Sequence, residues 1–388
     1  MEREQAIRLV QELLRRLKQQ NGSDLFLTAG FPPALKVDGL VTKAMDQPLT
    51  AEQSAVMVRA LMNDRQIKEF EATNECNFAI SPKEIGRFRV SAFVQQSRVG
   101  AVLRVITTDI PTFEQLQLPR VLQKIVMEKR GLCLVVGATG SGKSTTLAAM
   151  LGYRNENSKG HIISIEDPIE YVHPHRNCLI TQREVGVDTD SWDAALKNTL
   201  RQAPDVILIG EVRARETMEH AINFAETGHL VLATLHANSS NQAMDRIINF
   251  FPEEKRQQLL MDLSLNLKSI ISQRLIRREN GGRIAAMEIM INTPLMADLI
   301  FKGEVPKIKE LMSRSTEQGM QTFDQCLYNM FESGLISYDE AVRNADSQNE
   351  LRLRVKLESK RAGKDLEDDT VRKMTLEPDD KDSNVIRR

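Results

Sequence analysis

Apolar residues Ala6, Val10, Leu13, Leu14 and Leu17 recur at three- and four-residue intervals near the start of the chain, a period that predicts an amphipathic helix with a basic outer face. The next stretch, GSDLFLTAGFPPALKVDG, splits short apolar runs with Gly, Pro-Pro and Asp-Gly, which is the pattern of hairpins. LTAEQSAVMVRALMN predicts a second helix from about Ala51, with Thr50 as N-cap and Gln53 completing a capping box. NFAISP and GRFRVSAFVQQSRVGAVLRVI then read as strands, so residues 1–108 are expected to form a small α+β domain. ITTDIPTFEQLQLP has two prolines and little periodicity, and places an interdomain linker at 109–118.

From Pro119 the pattern changes. GLCLVVG, HIISIED, DVILIGE and HLVLATLHA are continuous apolar runs, each followed by a helix-forming stretch. Continuous apolar strands between helices predict a parallel sheet covered on both faces, with ligands at the carboxyl ends of its strands. A helical stretch from about Glu253 to Arg278 and a further helical bundle to about Ala345 complete this second domain, 119–345. Beyond Asp346 the chain has no aromatic residue and is dense in mixed charge, which predicts a short helix fading into a disordered tail over 346–388.

A length of 388 residues suits two domains. Fifty-two Lys and Arg stand against 53 Asp and Glu, so no net field draws the chain to nucleic acid or to an anionic membrane. Cys76, Cys133, Cys178 and Cys326 lie far apart with no CxxC pair, which argues against a zinc knuckle or a disulfide framework and for reduced thiols in a cytoplasmic protein. No stretch approaches the roughly 20 apolar residues of a spanning helix, so no membrane span is expected.

GLCLVVGATGSGKSTT carries the strongest chemical signal. Gly137, Gly142, Lys143 and Ser144 satisfy G-x-x-x-x-G-K-[ST] between an apolar strand and a helix-forming run. The loop Gly137, Ala138, Thr139, Gly140, Ser141, Gly142, with Lys143, Ser144 and Thr145 opening the helix, is a phosphate cradle. Backbone N–H groups curl around the phosphate, Lys143 reaches the β and γ phosphates, and the Ser144 hydroxyl takes Mg²⁺. ATP and Mg²⁺ are therefore the expected cofactors.

In RQAPDVILIGEVR the strand ends on Glu211, the expected metal-side carboxylate acting through water, and Arg213 follows where it can report the nucleotide state. Asp205 stands at the opposite end of that strand and reads as a turn residue. HIISIEDPIEYVHPHRN gathers Glu166, Asp167 and Glu170 at another strand end, with Glu166 or Glu170 as the candidate base for the attacking water. His236, after the strand HLVLATL, is a candidate sensor of the γ phosphate, and His229, before it, is the weaker one on geometry. Arg87, Arg89, Arg98 and Arg104 are candidates for the positive charge that phosphoryl transfer needs, with solvated strand faces the competing explanation for Arg87 and Arg98.

GATGSGKSTT, IEDPIEYVH, APDVILIGEVR and TGHLVLATLHA, in this order and spacing, resemble the Walker A, Asp box, Walker B and His box of the type IV pilus and type II secretion ATPases, the retraction branch above all. The resemblance runs from the first helix to about Tyr338. It implies a PAS-like amino-terminal domain, a RecA-like P-loop NTPase domain with a carboxyl-terminal helical part, and a homo-hexamer acting on an inner-membrane platform protein from the cytoplasmic side. It also implies catalytic roles for Glu166, Glu170, Glu211, His229 and His236, and intersubunit roles for Arg89 and Arg104. The missing tetracysteine element sets the chain apart from extension and secretion members. Where the main retraction motor has a motif similar to AIRNLIRE, residues 297–304 read ADLIFKGE, which resembles an accessory branch working beside a paralogous main motor. An active ATPase motor and a nucleotide-binding ring partner that works only when docked to that motor are both compatible with these residues. Nucleic-acid translocation fits them poorly, since no basic channel or aromatic stacking run is evident.

Overall fold

A computed structural model describes residues 2–37, 39–106 and 109–361. The first helix, α1 (Arg3–Gln19), opens on a capping box between Glu2 and Gln5 and buries the five apolar residues whose spacing predicts it. Three short strands follow, β1 (Asp24–Leu27), β2 (Ala34–Val37) and β3 (Leu40–Lys43). Helix α2 (Ala51–Ala60) begins at Thr50, whose Oγ1 accepts from the Gln53 N–H at 3.1 Å, as the capping pattern requires. Helix α3 (Asp64–Thr73) was not expected from the sequence; it buries Phe70 alone and so carries no apolar stripe to signal it. β4 (Glu75–Ile80), β5 (Arg87–Gln95) and β6 (Arg98–Ile106) complete an antiparallel sheet of order β3-β2-β1-β6-β5-β4. Along β5, Phe88, Val90 and Ala92 are buried while Arg87, Arg89 and Ser91 between them are partly exposed, the alternation of a sheet with one face on a core.

Two short helices, α4 (Phe113–Leu116) and α5 (Val121–Val126), lead into the second sheet. Its elements run β7 (Gly131–Val136), α6 (Lys143–Asn157), β8 (Gly160–Glu166), β9 (Cys178–Glu184), α7 (Trp192–Thr199), β10 (Val206–Ile209), α8 (Arg215–Glu226), β11 (Leu230–Leu235), α9 (Ser240–Phe250), α10 (Glu253–Asn266), β12 (Leu267–Arg277) and β13 (Arg283–Ile291). The order is β13-β12-β7-β11-β10-β8-β9, parallel throughout except for the β12–β13 pair. Leu132, Leu134 and Val136 of β7 pack into a core shared with α8 and α9, and Cys133 and Val135 into another shared with α6. Both faces are thus covered, which is why β7, β10 and β11 are buried at every position.

Residues 267–277, expected to continue a helix that runs from Glu253 to about Arg278, form a strand instead, and β13 lies inside the expected helical bundle. Leu259, Leu263, Leu267 and Ile270 do follow a helical period. The free edge of β7 decides the matter: Leu267, Ile270 and Ser272 pair with Leu132, Leu134 and Val136, and pairing overrides local propensity. β9, also missed, pairs with β8 along its whole length.

The carboxyl-terminal part is helical: α11 (Pro294–Phe301), α12 (Val305–Arg314), α13 (Phe323–Glu332), α14 (Tyr338–Asn344) and α15 (Gln348–Glu358). Helix α15 buries Leu351 and Val355, and Arg361 just beyond it pairs with Glu279. The disorder expected further along the tail, from 362, lies outside the described residues.

Candidate functional site

Glycine is required where the chain turns from β7 into α6. Gly140 and Gly142 have φ of 76° and 87°, values that side chains rarely adopt. A Cβ on Gly137 would stand 2.6 Å from the Gln273 carbonyl oxygen and closer still to the Ser141 hydroxyl. Lys143 begins α6 and its Nζ folds back over the loop, donating to the carbonyl oxygens of Gly137 and Ala138 at 2.9 Å each. Burial pulls its pKa down, and the charges of Glu211 and Glu170 oppose that shift, so both carboxylates stand close enough to act on it. The loop, with Ser144 and Thr145 in the first turn of α6, has the form of an anion cradle, since a helix start leaves its first N–H groups without intrahelical partners.

A second group of residues meets this helix. Ser144, Glu166, Glu170, Tyr171, His173, Gly210 and Thr234 line one small pocket. Tyr171 is tied to the helix by a 3.0 Å hydrogen bond with Thr145. Glu166 ends β8, where Ser164 Oγ and Gln182 Nε2 both donate to its Oε1 at 2.6 and 3.2 Å. Burial raises its pKa to about 7 against the lowering effect of those two bonds, and the charge of Glu170 adds to the rise. His173 is buried, with Nδ1 lacking a hydrogen-bond partner among the described residues, and burial lowers its pKa to about 4. It is therefore a neutral imidazole in the pocket wall.

Glu211 lies just past β10, joined to two other sequence-predicted residues. Arg213 Nε donates to its Oε2 at 2.7 Å, and His236 Nε2 lies 3.1 Å from its Oε1. Among the described residues no group of three His, Cys, Asp or Glu is arranged to hold a metal by itself. The hard-oxygen donors near Lys143, the Ser144 hydroxyl and the Glu211 carboxylate, suit a Mg²⁺ ion that arrives with nucleotide phosphates and keeps several waters.

Other predicted residues lie apart from this cluster. His229 precedes β11, its Nδ1 within 3.1 Å of the Phe224 carbonyl, and its own carbonyl accepts from Gly131 N–H at the start of β7. It is a whole strand, about 20 Å, from the phosphate loop. Arg104 Nε donates to the buried Asp24 at 2.7 Å inside the first sheet. Arg89, its cross-strand partner, lines a pocket with Asp167, just past β8, and Glu184 of β9. Asp205 accepts from His161 N–H at the far end of β10, as a turn residue would.

Sequence reasoning missed Gln273 and Gln182. Gln273, on β12, donates to the Ser141 carbonyl and accepts from Thr146 Oγ1, both at 2.8 Å. Gln182 bridges Glu166 to the Tyr171 carbonyl. Both sit on strands that were not anticipated, so no local signal marked them.

A model of the family described as type II/IV secretion system protein matches residues 1–343. The type IV pilus ATPase PilU of Pseudomonas aeruginosa is 61% identical over 350 residues, covering 90% of this chain and 92% of its own. The type IV pilus retraction ATPase PilT of the same organism is 44% identical, over 87% of this chain and 98% of its own. Among solved structures, the pilus retraction motor PilT with bound ADP matches with a TM-score of 0.83 at 39% identity, covering 89% of this chain and 99% of that one.

Proposed function

The chain belongs to the type II/IV secretion system protein family, and from that membership we infer that it is a type IV pilus retraction ATPase, an enzyme that hydrolyses ATP. Its 61% identity to PilU against 44% to PilT supports the accessory branch, working beside a paralogous main motor. The observation that carries the enzymatic role is that Ser144, next to the lysine that folds over the phosphate loop, lines one pocket with the enclosed carboxylate Glu166.

In this proposal residues 137–145 hold the phosphates of ATP and Lys143 exchanges the Gly137 and Ala138 carbonyls for the β and γ phosphates. Ser144 and, through water, Glu211 would hold Mg²⁺, which would supply neutralisation of the phosphate charge. Glu166 takes the proton of the attacking water and Glu170, close by, orients that water. His236 and Arg213 grip Glu211 from both sides, so they register its position. The subunits assemble as a hexamer in which Arg89, partly exposed on the first sheet, supplies positive charge to a neighbour's nucleotide; an arginine in trans is worth about 10³–10⁵ in rate. Arg104 and His229 act at subunit boundaries rather than at the phosphates. The ring works at the cytoplasmic face of the inner membrane on a platform protein. No helix among the described residues is long and apolar enough to cross a membrane.

Purified protein tested with Mg-ATP is expected to lose at least about 10²-fold in turnover on Lys143→Ala, as for removal of a single transition-state donor. Turnover of the variant at the wild-type rate would sink the site assignment. Pilus retraction measured with this gene alone, with the paralogue alone and with both separates an accessory motor from an independent one.

A further inference from the structure

Gln273 stands one residue past the last pairing of β12 with β7, Ser272 with Val136, so it is level with the loop that follows β7. It is 2% exposed, yet both ends of its amide are bonded, Nε2 to the Ser141 carbonyl and Oε1 to the Thr146 hydroxyl. The loop closes tightly on it. A Cβ on Gly142 would lie 2.8 Å from Nε2.

These two bonds set the direction of the donors that a phosphate needs. In a trans peptide the carbonyl and the following N–H point opposite ways. Holding the Ser141 carbonyl against Gln273 therefore turns the Gly142 N–H away from β12, toward the inside of the loop. Thr146 lies in the first turn of α6, and its N–H donates to the Gly142 carbonyl at 3.0 Å. Fixing its hydroxyl holds that turn, whose free N–H groups form the other wall of the cradle.

We propose that Gln273 is a positioning residue for nucleotide binding: its side-chain amide preorganises the phosphate loop without touching the nucleotide. The strand that carries it is itself anchored. Arg274, the next residue, donates to the carbonyls of Asn344 and Asn238 and pairs with Asp346 at 2.7 Å. Preorganisation of this kind strengthens ground-state and transition-state binding alike, so it shows in KM more than in kcat.

The inference rests on the ATPase reading, and the test separates the two. Full-length wild type, Gln273→Leu and Thr146→Val are compared for equilibrium binding of a fluorescent ADP analogue, for KM and kcat with Mg-ATP, and for thermal unfolding. Gln273→Leu is expected to weaken ADP binding and raise KM by about tenfold or more, with kcat changed less than about threefold; this is the scale of a lost buried hydrogen bond. Thr146→Val, which removes one bond of the two, is expected to weaken ADP binding by about threefold, and decides the matter if Gln273→Leu does not fold. A variant that unfolds earlier but binds ADP with wild-type affinity overturns the proposal and leaves a packing role. Wild type that binds no ADP overturns the ATPase reading along with it.

Discussion

The two sheets treat charge in opposite ways. β5 and β6 of the first carry Arg87, Arg89, Arg98 and Arg104, and nearby β1 carries the buried Asp24. β7, β10 and β11 of the second carry no charged residue at all, and at or past the carboxyl ends of these strands and of β8 stand Lys143, Glu166, Glu211 and His236. An antiparallel sheet with one open face can leave long side chains along its strands in water, whereas a sheet covered on both faces must send them to its ends. The central strands of the second sheet thereby leave their carboxyl ends for the ionisable groups of the proposed phosphate site. The first spreads them over a surface.

The sharpest test of those carboxyl ends is Glu166→Gln. Loss of a general base is expected to cut hydrolysis by about 10²–10⁴-fold. Glu166 also makes stability depend on pH. Its folded pKa, about 7, lies above the ordinary value of 4.5, so the fold binds the protonated form better. The contribution is intact below about pH 4.5 and is lost as pH rises through 7, a fall of about 3 kcal/mol. The amide introduced by Glu166→Gln accepts the same bonds from Ser164 and Gln182 without a charge. Denaturant unfolding at pH 8 should show the variant more stable than wild type by up to about 3 kcal/mol, with the difference gone at pH 4. In wild type, kcat should rise with pH through 7. An inactive variant with unchanged pH dependence of unfolding would place the burial cost on another group.

Phe88→Ala examines the other side of the contrast. Phe88 is fully buried in the core of the first sheet, so the cavity should cost about 3–5 kcal/mol in the unfolding of that region. With the proposed phosphate site at the carboxyl ends of the second sheet's strands, ADP affinity of the folded protein should stay within about twofold, since sites without shared partners act independently. A large loss of affinity would mean that the two sheets form one cooperative unit.

How much of this was legible in the sequence depends on whether neighbours in space are also neighbours in the chain. The period of α1, the cap of α2 and the loop 137–145 are contiguous, and each could be read directly. Glu211, Glu166 and His236 end apolar runs and were found by that alone. What failed was settled at long range. Leu267–Arg277 is a strand because β7, about 130 residues earlier, leaves an edge open, and Gln273 went unseen for the same reason. The proposal of Glu166 rather than Glu170 as the base rests on the bonds Glu166 accepts from Ser164 and Gln182, which no linear pattern records. Arg89 and Arg104 were indistinguishable as residues on adjacent strands; the structure gives them different neighbours.

That last distinction yields the smallest effect and the finest test. Asp24, Arg104 and Arg89 stand in one row across β1, β6 and β5. Asp24 is 2% exposed and holds two donors, Ser23 Oγ and Arg104 Nε. Arg104→Ala leaves that buried carboxylate short of its charged partner, and should cost about 2 kcal/mol in the stability of the first sheet, because an under-satisfied buried acceptor bears its own desolvation. Arg89 makes no hydrogen bond or ion pair among the described residues, so Arg89→Ala should change that stability by less than about 0.5 kcal/mol. Urea unfolding followed at the first transition compares the two directly. Equal losses would show that both arginines serve the fold, and the spread of charge over the first sheet would then be structural throughout; unequal losses leave Arg89 as the arginine the fold can spare for a neighbouring subunit.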